Sequence, residues 1–314
     1  MATLFRLIRV VVVLCALVSL GACSKLFFYP MKPWVQNPAR IGLAYEDVIL
    51  IHPDGLRLHG WWLPAVGQAK GTVYFLHGNA QNVSTHVMSV AWLPDAGYNV
   101  FLPDYRGYGL SQGKPRLPDV FDDIQLGLDW LARSGRANGK PLIVFGQSLG
   151  AVMGIEVLAR DGNQEKVACT VFEAPFTGYR DITNDVMKQS WLLWPMRPLV
   201  LPLMPPEKWD PAVRIAELGM PKLIMHSRED EIIPFAHGEA VYDEAAAPKE
   251  FQPLLGRHIE AMRDPSVQGR VQDFFESRCG VQAAKEEPDN GLPSATVPGA
   301  VVPPALQPPR ALSF

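Results

Sequence analysis

The chain predicts an α/β fold, a mostly parallel central sheet with helices on both faces, and three observations predict it. First, apolar runs at Thr72–Leu76, Asn99–Leu102, Leu142–Phe145, Ala168–Phe172, Leu223–His226 and Phe251–Leu255 alternate with helical patterns at Ser84–Ala96, Val120–Arg133, Leu149–Arg160, Phe235–Ala246 and Pro265–Arg278. Strands that alternate with helices in this way pair in parallel and are covered from both sides. Second, the serine of Gly146-Gln-Ser148-Leu-Gly150 stands where a strand-like run meets a helix-like one, and only glycines leave room for the neighbouring backbone at such a reversal. Third, the body from about Lys32 to Gly280 has the length of one large α/β domain with a continuous core.

The elements follow in order. Residues 1–22 carry Arg6 and Arg9 and then the apolar run Val10–Leu20, which is short for a membrane span and reads as a signal peptide. Tyr45–His52 and Leu56–Trp62, separated by the turn Pro53-Asp54-Gly55, read as an antiparallel N-terminal hairpin. The alternating elements come next, interrupted at about 177–218 by a segment rich in Trp, Leu, Met and Pro with neither strand nor clean helical periodicity. It reads as a small apolar cap over the strand ends that lines an acyl pocket, dips into a bilayer surface, or merely packs on the body. Residues 281–314 are rich in Pro and Ala and read as a disordered tail, which leaves residues 23–280 as the folded domain.

Chemistry in such a sheet gathers at the carboxyl ends of the strands, where His77, Asp104, Ser148, Glu173 and Asp230 fall. Ser148 is a candidate nucleophile, held out on the turn where a base can reach it; the alternative is a serine that only caps a helix. A nucleophilic serine needs a histidine base and a carboxylate to orient that base. Of the downstream histidines His226, His237 and His258, the last lies in the loop after the final strand. Asp230 is preferred over Glu229 and Glu231 as the acid, because it precedes a helix begun by Pro234.

No group of Cys, His, Asp or Glu has metal-ligand spacing and no phosphate-binding or dinucleotide loop is present, so neither a metal nor another cofactor is implied. The net charge of −3, with both signs interspersed, argues against a nucleic-acid partner. Of the 4 cysteines, Cys169 reads as a buried strand residue and Cys279 ends the last helix; both are expected to be unpaired. The oligomeric state is left open.

Two resemblances sharpen this reading. Leu20-Gly-Ala-Cys23 resembles the lipobox of bacterial lipoproteins, which implies removal of residues 1–22, acylation of Cys23, and a lipid anchor in the cell envelope. Ser24 after that cysteine implies the outer membrane, facing the periplasm. The alternative is an uncleaved signal anchor.

Phe75-Leu-His-Gly-Asn-Ala80, Asp104-Tyr-Arg-Gly-Tyr-Gly-Leu-Ser111, Phe145-Gly-Gln-Ser-Leu-Gly150 and His226-Ser-Arg-Glu-Asp-Glu-Ile-Ile-Pro234 resemble successive segments of the α/β-hydrolase superfamily, in particular its membrane-associated serine hydrolases. The resemblance implies Ser148 as nucleophile, Asp230 as orienter and His258 as base. It implies an oxyanion hole of the Asn79 and Leu149 N–H groups, with His77, Gly78, Gly146 and Gly150 shaping the loops. Asp104 and Arg106 are expected to brace the site. Two departures are Arg257 before the histidine and Ser227 after His226, and Arg257 is expected to bring positive charge near the pocket. The expected function is hydrolysis of ester or thioester bonds in acyl-bearing substrates, through an acyl-enzyme. A serine peptidase of the same fold and a non-catalytic lipoprotein that binds partners through cap and tail are the alternatives.

Overall fold

The computed structural model describes residues 27–281; the expected signal segment, Cys23 and the expected tail beyond Val281 lie outside the described residues. Strands β1 (Glu46–Ile51), β2 (Arg57–Leu63), β3 (Gly71–Leu76), β4 (Tyr98–Pro103), β5 (Leu142–Gln147), β6 (Cys169–Glu173), β7 (Lys222–Ser227) and β8 (Lys249–Leu254) form one 8-stranded sheet. Their spatial order is β8-β7-β6-β5-β3-β4-β2-β1. The β1–β2 hairpin and the β2–β4 pair are antiparallel, and every other pairing is parallel. Helices α1 (Asp119–Arg133), α2 (Leu149–Leu158), α3 (Tyr179–Lys188), α4 (Phe235–Glu244) and α5 (Pro265–Arg278) are the long ones.

Side chains along each central strand divide between two apolar layers, as the two-residue period of a strand requires. Tyr74, Leu76, Val144, Phe172 and Ile224 pack with Phe121, Ile124 and Leu128 of α1 and Val152 and Met153 of α2. Their neighbours Val73, Phe75, Ile143, Phe145, Val171, Leu223 and Met225 pack on the opposite face with Val271, Phe274 and Phe275 of α5. The order of strands reverses between β3 and β5, so the loops leaving these two strands diverge and open a crevice at their carboxyl ends.

Two expectations are revised and one is made specific. The helical pattern at Ser84–Ala96 is one α-turn (Val83–His86), one 3₁₀ turn (Val87–Ser89) and a run of turns. Val83, Val87, Val90 and Leu93 are all buried against the sheet, and Pro94, which has no N–H and restricts Leu93, prevents a continuous helix. Cys169 and Cys279 are not unpaired; they form a disulfide that ties the start of β6 to the end of α5, with Cα atoms 5.2 Å apart. Their separation of 110 positions in the sequence hides the pairing from any local pattern, and the packing of α5 across the sheet creates it. Finally, the segment 177–218 holds α3 and then only short turns, because prolines at 195, 198, 202, 205, 206 and 211 interrupt helix after helix.

Candidate active site

Ser148 follows β5 directly and stands before the first residue of α2 with φ 52° and ψ −121°, a conformation that L-residues rarely adopt. Its N–H donates to the Glu173 carbonyl at 2.8 Å, and its own carbonyl accepts from Ala151 N at 3.0 Å. The turn closes only because of its glycines. A Cβ on Gly146 would stand 2.5 Å from the Ala151 Cα, and one on Gly150 would run into the Leu76 carbonyl and lie 2.5 Å from that of His77. Both contacts are with backbone, which cannot move aside.

Asp230 lies in the loop between β7 and α4 with its carboxylate buried. One oxygen accepts the N–H groups of Ile232 and Ile233 at 2.9 and 2.8 Å. The other lies 2.7 Å from Nδ1 of His258, in the loop after β8, and 3.4 Å from Nε2 of His226. Burial opposes the charge, but the bonds to His226, His258 and the Ile233 N–H outweigh it and hold this carboxyl well below the ordinary range. That favours its charged form, and its bond to Nδ1 leaves Nε2 as the other ring nitrogen. His258 Nε2 and Ser148 Oγ are not joined by a direct hydrogen bond among the described residues, and such contacts commonly tighten only when substrate is engaged.

The two departures noted in the sequence resolve here. Ser227 Oγ donates to the Gly256 carbonyl and accepts from Glu229 N at 3.1 Å, stitching the acid loop to the histidine loop. Arg257 is 73% exposed and pairs with Glu231 at 2.9 Å, so its charge is answered at the surface rather than delivered to the pocket. The same Glu231 accepts the His258 N–H at 3.1 Å and so fixes the backbone that carries the ring.

The loop after β3 faces the serine. A methyl group on Gly78 would lie 3.6 Å from Ser148 Cβ and 3.3 Å from the His86 ring, which shows how closely this backbone passes the hydroxyl. His77 is fully buried, bonds the Gly78 carbonyl at 2.8 Å, and packs against Tyr105 and His86 with ring centroids 4.1 and 5.3 Å away. Burial and the neighbouring His86 push its pKa well down, so the ring is neutral and acts as packing. The Asn79 side chain accepts from Tyr29 N at 3.0 Å. The N–H of Leu149 belongs to the first turn of α2, where helix geometry gives it no partner within the helix.

The segment after β4 holds this loop from behind. Tyr105 OH donates to the His77 carbonyl at 3.0 Å and Tyr108 OH to the Asn79 carbonyl at 2.5 Å. Asp104 accepts Val83 N at 2.9 Å, and burial raises its pKa to about 7. Arg106 clasps Asp123 of α1 at 2.6–2.9 Å and reaches Asp119 at 3.1 Å. Reading by residue type singled out Asp104 and Arg106 but passed over the two tyrosines, whose hydroxyls make the direct contacts. Gln147 and Glu173 were also missed as a pair. They are buried beneath the serine and joined at 2.6 Å. Burial, partly offset by that bond and by His258, raises the Glu173 pKa to about 7.

Beside Ser148 opens a cavity of about 420 Å³, lined by Phe27, Tyr29, Phe176, Ile182, Met187, Leu193, Val200 and Ile233, with Asn79 and Leu149 at its polar end. Among the described residues no set of three or more His, Cys, Asp or Glu side chains is grouped as a metal site requires. Nor is any helix there long and apolar enough to cross a membrane.

A mostly parallel sheet carrying a serine elbow after one strand, with acid and histidine loops after two later ones, defines an α/β hydrolase. The family described as "Serine aminopeptidase, S33" matches residues 67–211. The chain is 30% identical over 266 residues to the uncharacterized protein YfhR of Escherichia coli K12, which spans 81% of this chain and 86% of that one. It is 32% identical over 235 residues to the alpha/beta hydrolase domain-containing protein WAV2 of Arabidopsis thaliana, covering 71% and 76% of the two. Among solved structures the Pyrococcus furiosus esterase Pf2001 superposes with a TM-score of 0.66 at 22% identity, over 80% of this chain and 100% of that one, a likeness of fold. The chain belongs to the α/β-hydrolase family that these relatives share.

Proposed function

We propose that this α/β hydrolase cleaves carboxylic ester or thioester bonds of acyl-bearing substrates through an acyl-enzyme on Ser148. The observation that carries the reading is the Asp230–His258 pair at 2.7 Å, its carboxylate buried, set at the same end of the sheet as the strained Ser148 elbow. Ser148 Oγ attacks the acyl carbonyl as His258 Nε2 takes its proton, and ionised Asp230 stabilises the imidazolium. The N–H groups of Asn79 and Leu149 receive the developing oxyanion, one such donor being worth about 3–4 kcal/mol in comparable enzymes. His258 then protonates the leaving group, and water repeats the cycle to release the acid.

The apolar cavity favours an acyl chain over a peptide. A peptidase that takes a free amino terminus needs an anion for the ammonium group, and no Asp or Glu lines the cavity. A peptide backbone laid against such walls would leave polar groups unpaired, at about 1–3 kcal/mol each. Ser148→Ala should abolish turnover of p-nitrophenyl acyl esters and labelling by a fluorophosphonate. Retained labelling would identify a different nucleophile, and faster turnover of aminoacyl anilides than of acyl esters would favour the peptidase.

The lipobox at Cys23 supports a lipid-anchored place in a bacterial envelope, outer membrane facing periplasm. A Cys169–Cys279 disulfide suits such an oxidising compartment. Cells fed radioactive palmitate should label the protein, and a Cys23→Ala variant that still takes up label would end the lipoprotein reading.

A further inference from the structure

The cap turns an apolar face outward that the hydrolase chemistry leaves unused. Trp191 is 87% exposed, Leu192 65%, Leu199 64% and Trp194 54%. Core-type side chains this exposed, side by side along one segment, mark an interaction surface rather than packing of the cap on the body. Residues 189–206 contain no acidic side chain and one basic one, Arg197. Its guanidinium lies over the Trp194 ring, 5.0 Å from the centroid, and its hydrogen bonds go to the Trp194 carbonyl and Asn184, with no carboxylate partner among the described residues. Tryptophans beside aliphatic side chains and an unanswered cation match the interfacial zone of a bilayer, where indole rings and basic groups sit at the headgroup level.

The same face adjoins the mouth of the cavity. Val186, Leu193 and Ile232 of its wall and Tyr29 opposite are themselves 43–56% exposed, so they form the rim through which the cavity opens. The chain also enters the domain here, since Phe27 lines the cavity. Phe27 lies four positions after Cys23, and an extended chain spans those four steps with a reach of at most about 14 Å. A membrane that holds the chain at Cys23 therefore stands within about 14 Å of the cavity wall, and one that holds it at Leu20, the end of the apolar run, within about 25 Å.

The geometry points to a lipid bilayer as the partner of this face. Trp191, Leu192, Trp194 and Leu199 enter the headgroup and upper acyl region, and the rim of the cavity opens onto it, so that acyl chains pass from the membrane to Ser148 without crossing water. The route of the substrate rests on the acyl-hydrolase reading; the docking does not.

The test uses the full-length protein with vesicles of phosphatidylcholine and phosphatidylglycerol whose acyl chains carry bromine. Bromine should quench part of the tryptophan emission, and the double variant Trp191→Phe, Trp194→Phe should lose that part while an anchor still holds the protein on the vesicle. The double variant Trp191→Ser, Leu199→Ser should hydrolyse an ester dissolved in the same vesicles at least about tenfold more slowly and a soluble short-chain ester at the unchanged rate, since burying one such side chain changes an equilibrium by about that factor or more. Identical quenching in wild type and the Phe variant, or equal losses on both esters, would overturn the docking. So would concentration-dependent dimerisation through Trp191 without quenching, which would make a second copy the partner. If no ester is turned over at all, the hydrolase reading fails, while the quenching still decides whether the cap meets lipid.

Discussion

Opening the Cys169–Cys279 disulfide should destabilise the protein strongly while leaving its chemistry intact at room temperature. The bridge closes a loop of 110 residues. Releasing a loop of this size returns roughly 16 cal/mol/K of entropy to the unfolded chain, or about 4.8 kcal/mol at 25 °C. Unfolding a domain of roughly 250 residues at about 2.1 cal/mol/K per residue carries an entropy near 0.5 kcal/mol/K, so the expected fall in Tm is about 9 °C. Both cysteines are buried, at 0% and 2% exposure, so a Cys169→Ala, Cys279→Ala variant loses packing in addition. Calorimetry of the full-length protein with and without reductant isolates the covalent part, and the double variant serves as a control that reductant should not affect. Turnover of a short ester at 25 °C should survive reduction. The bridge holds the entry end of β6, whereas Glu173 at its other end is the residue that touches the serine backbone. A drop of less than about 3 °C, or a double variant that responds to reductant as wild type does, would refute the loop-closure argument.

Two further outcomes follow from the site. Glu173 binds its proton more tightly in the folded state, at about 7, than its ordinary value of 4.5, so its stabilising contribution is complete below pH 4.5 and is lost as pH rises to about 7. The loss amounts to roughly 3 kcal/mol, and Glu173→Gln should flatten that part of the stability curve measured by urea unfolding; an unchanged slope would show that the carboxyl is not buried as described. Tyr108→Phe removes the hydroxyl that fixes the Asn79 carbonyl, and should lower kcat about 5-fold with little change in KM, in line with roughly 1 kcal/mol for one hydrogen bond. A rise in KM at constant kcat would place Tyr108 in substrate binding instead.

The elbow shows how such a site is held together. A non-glycine residue at positive φ costs of order 1–3 kcal/mol, and two of them stand at adjacent strand ends, Ser148 and Ala174, both at φ 52°. Each is clamped to the next strand. Ser148 N–H donates to the carbonyl of Glu173, and Ala174 N–H to that of Met225, both at 2.8 Å. Neither residue can relax without breaking a bond that lies buried beneath the site, so the strain persists where it exposes the hydroxyl. The Gln147–Glu173 pair spans the same two strands with its side chains. It adds a second cross-strand tie directly under the serine.

Which parts of this were legible in the sequence follows from the range over which each signal acts. Strand and helix positions were readable because apolar periodicity is local, and they hold for the strands and for α1, α2, α4 and α5. The elbow was readable because its glycines stand at a fixed spacing around the serine, Gly146 answering contacts within the turn and Gly150 the close approach of β3. The segment at Ser84–Ala96 misled because its buried residues recur at helical spacing while Pro94 sets the backbone, so periodicity and hydrogen bonding diverged. The disulfide, the two tyrosine hydroxyls and the Gln147–Glu173 pair left no trace, as each joins residues brought together only by sheet order. Motif reading finds groups that react, because reactivity restricts residue type at a fixed spacing. Groups that position the reactive ones need only one hydroxyl or one amide at the right place, which many sequences supply and only the folded chain reveals.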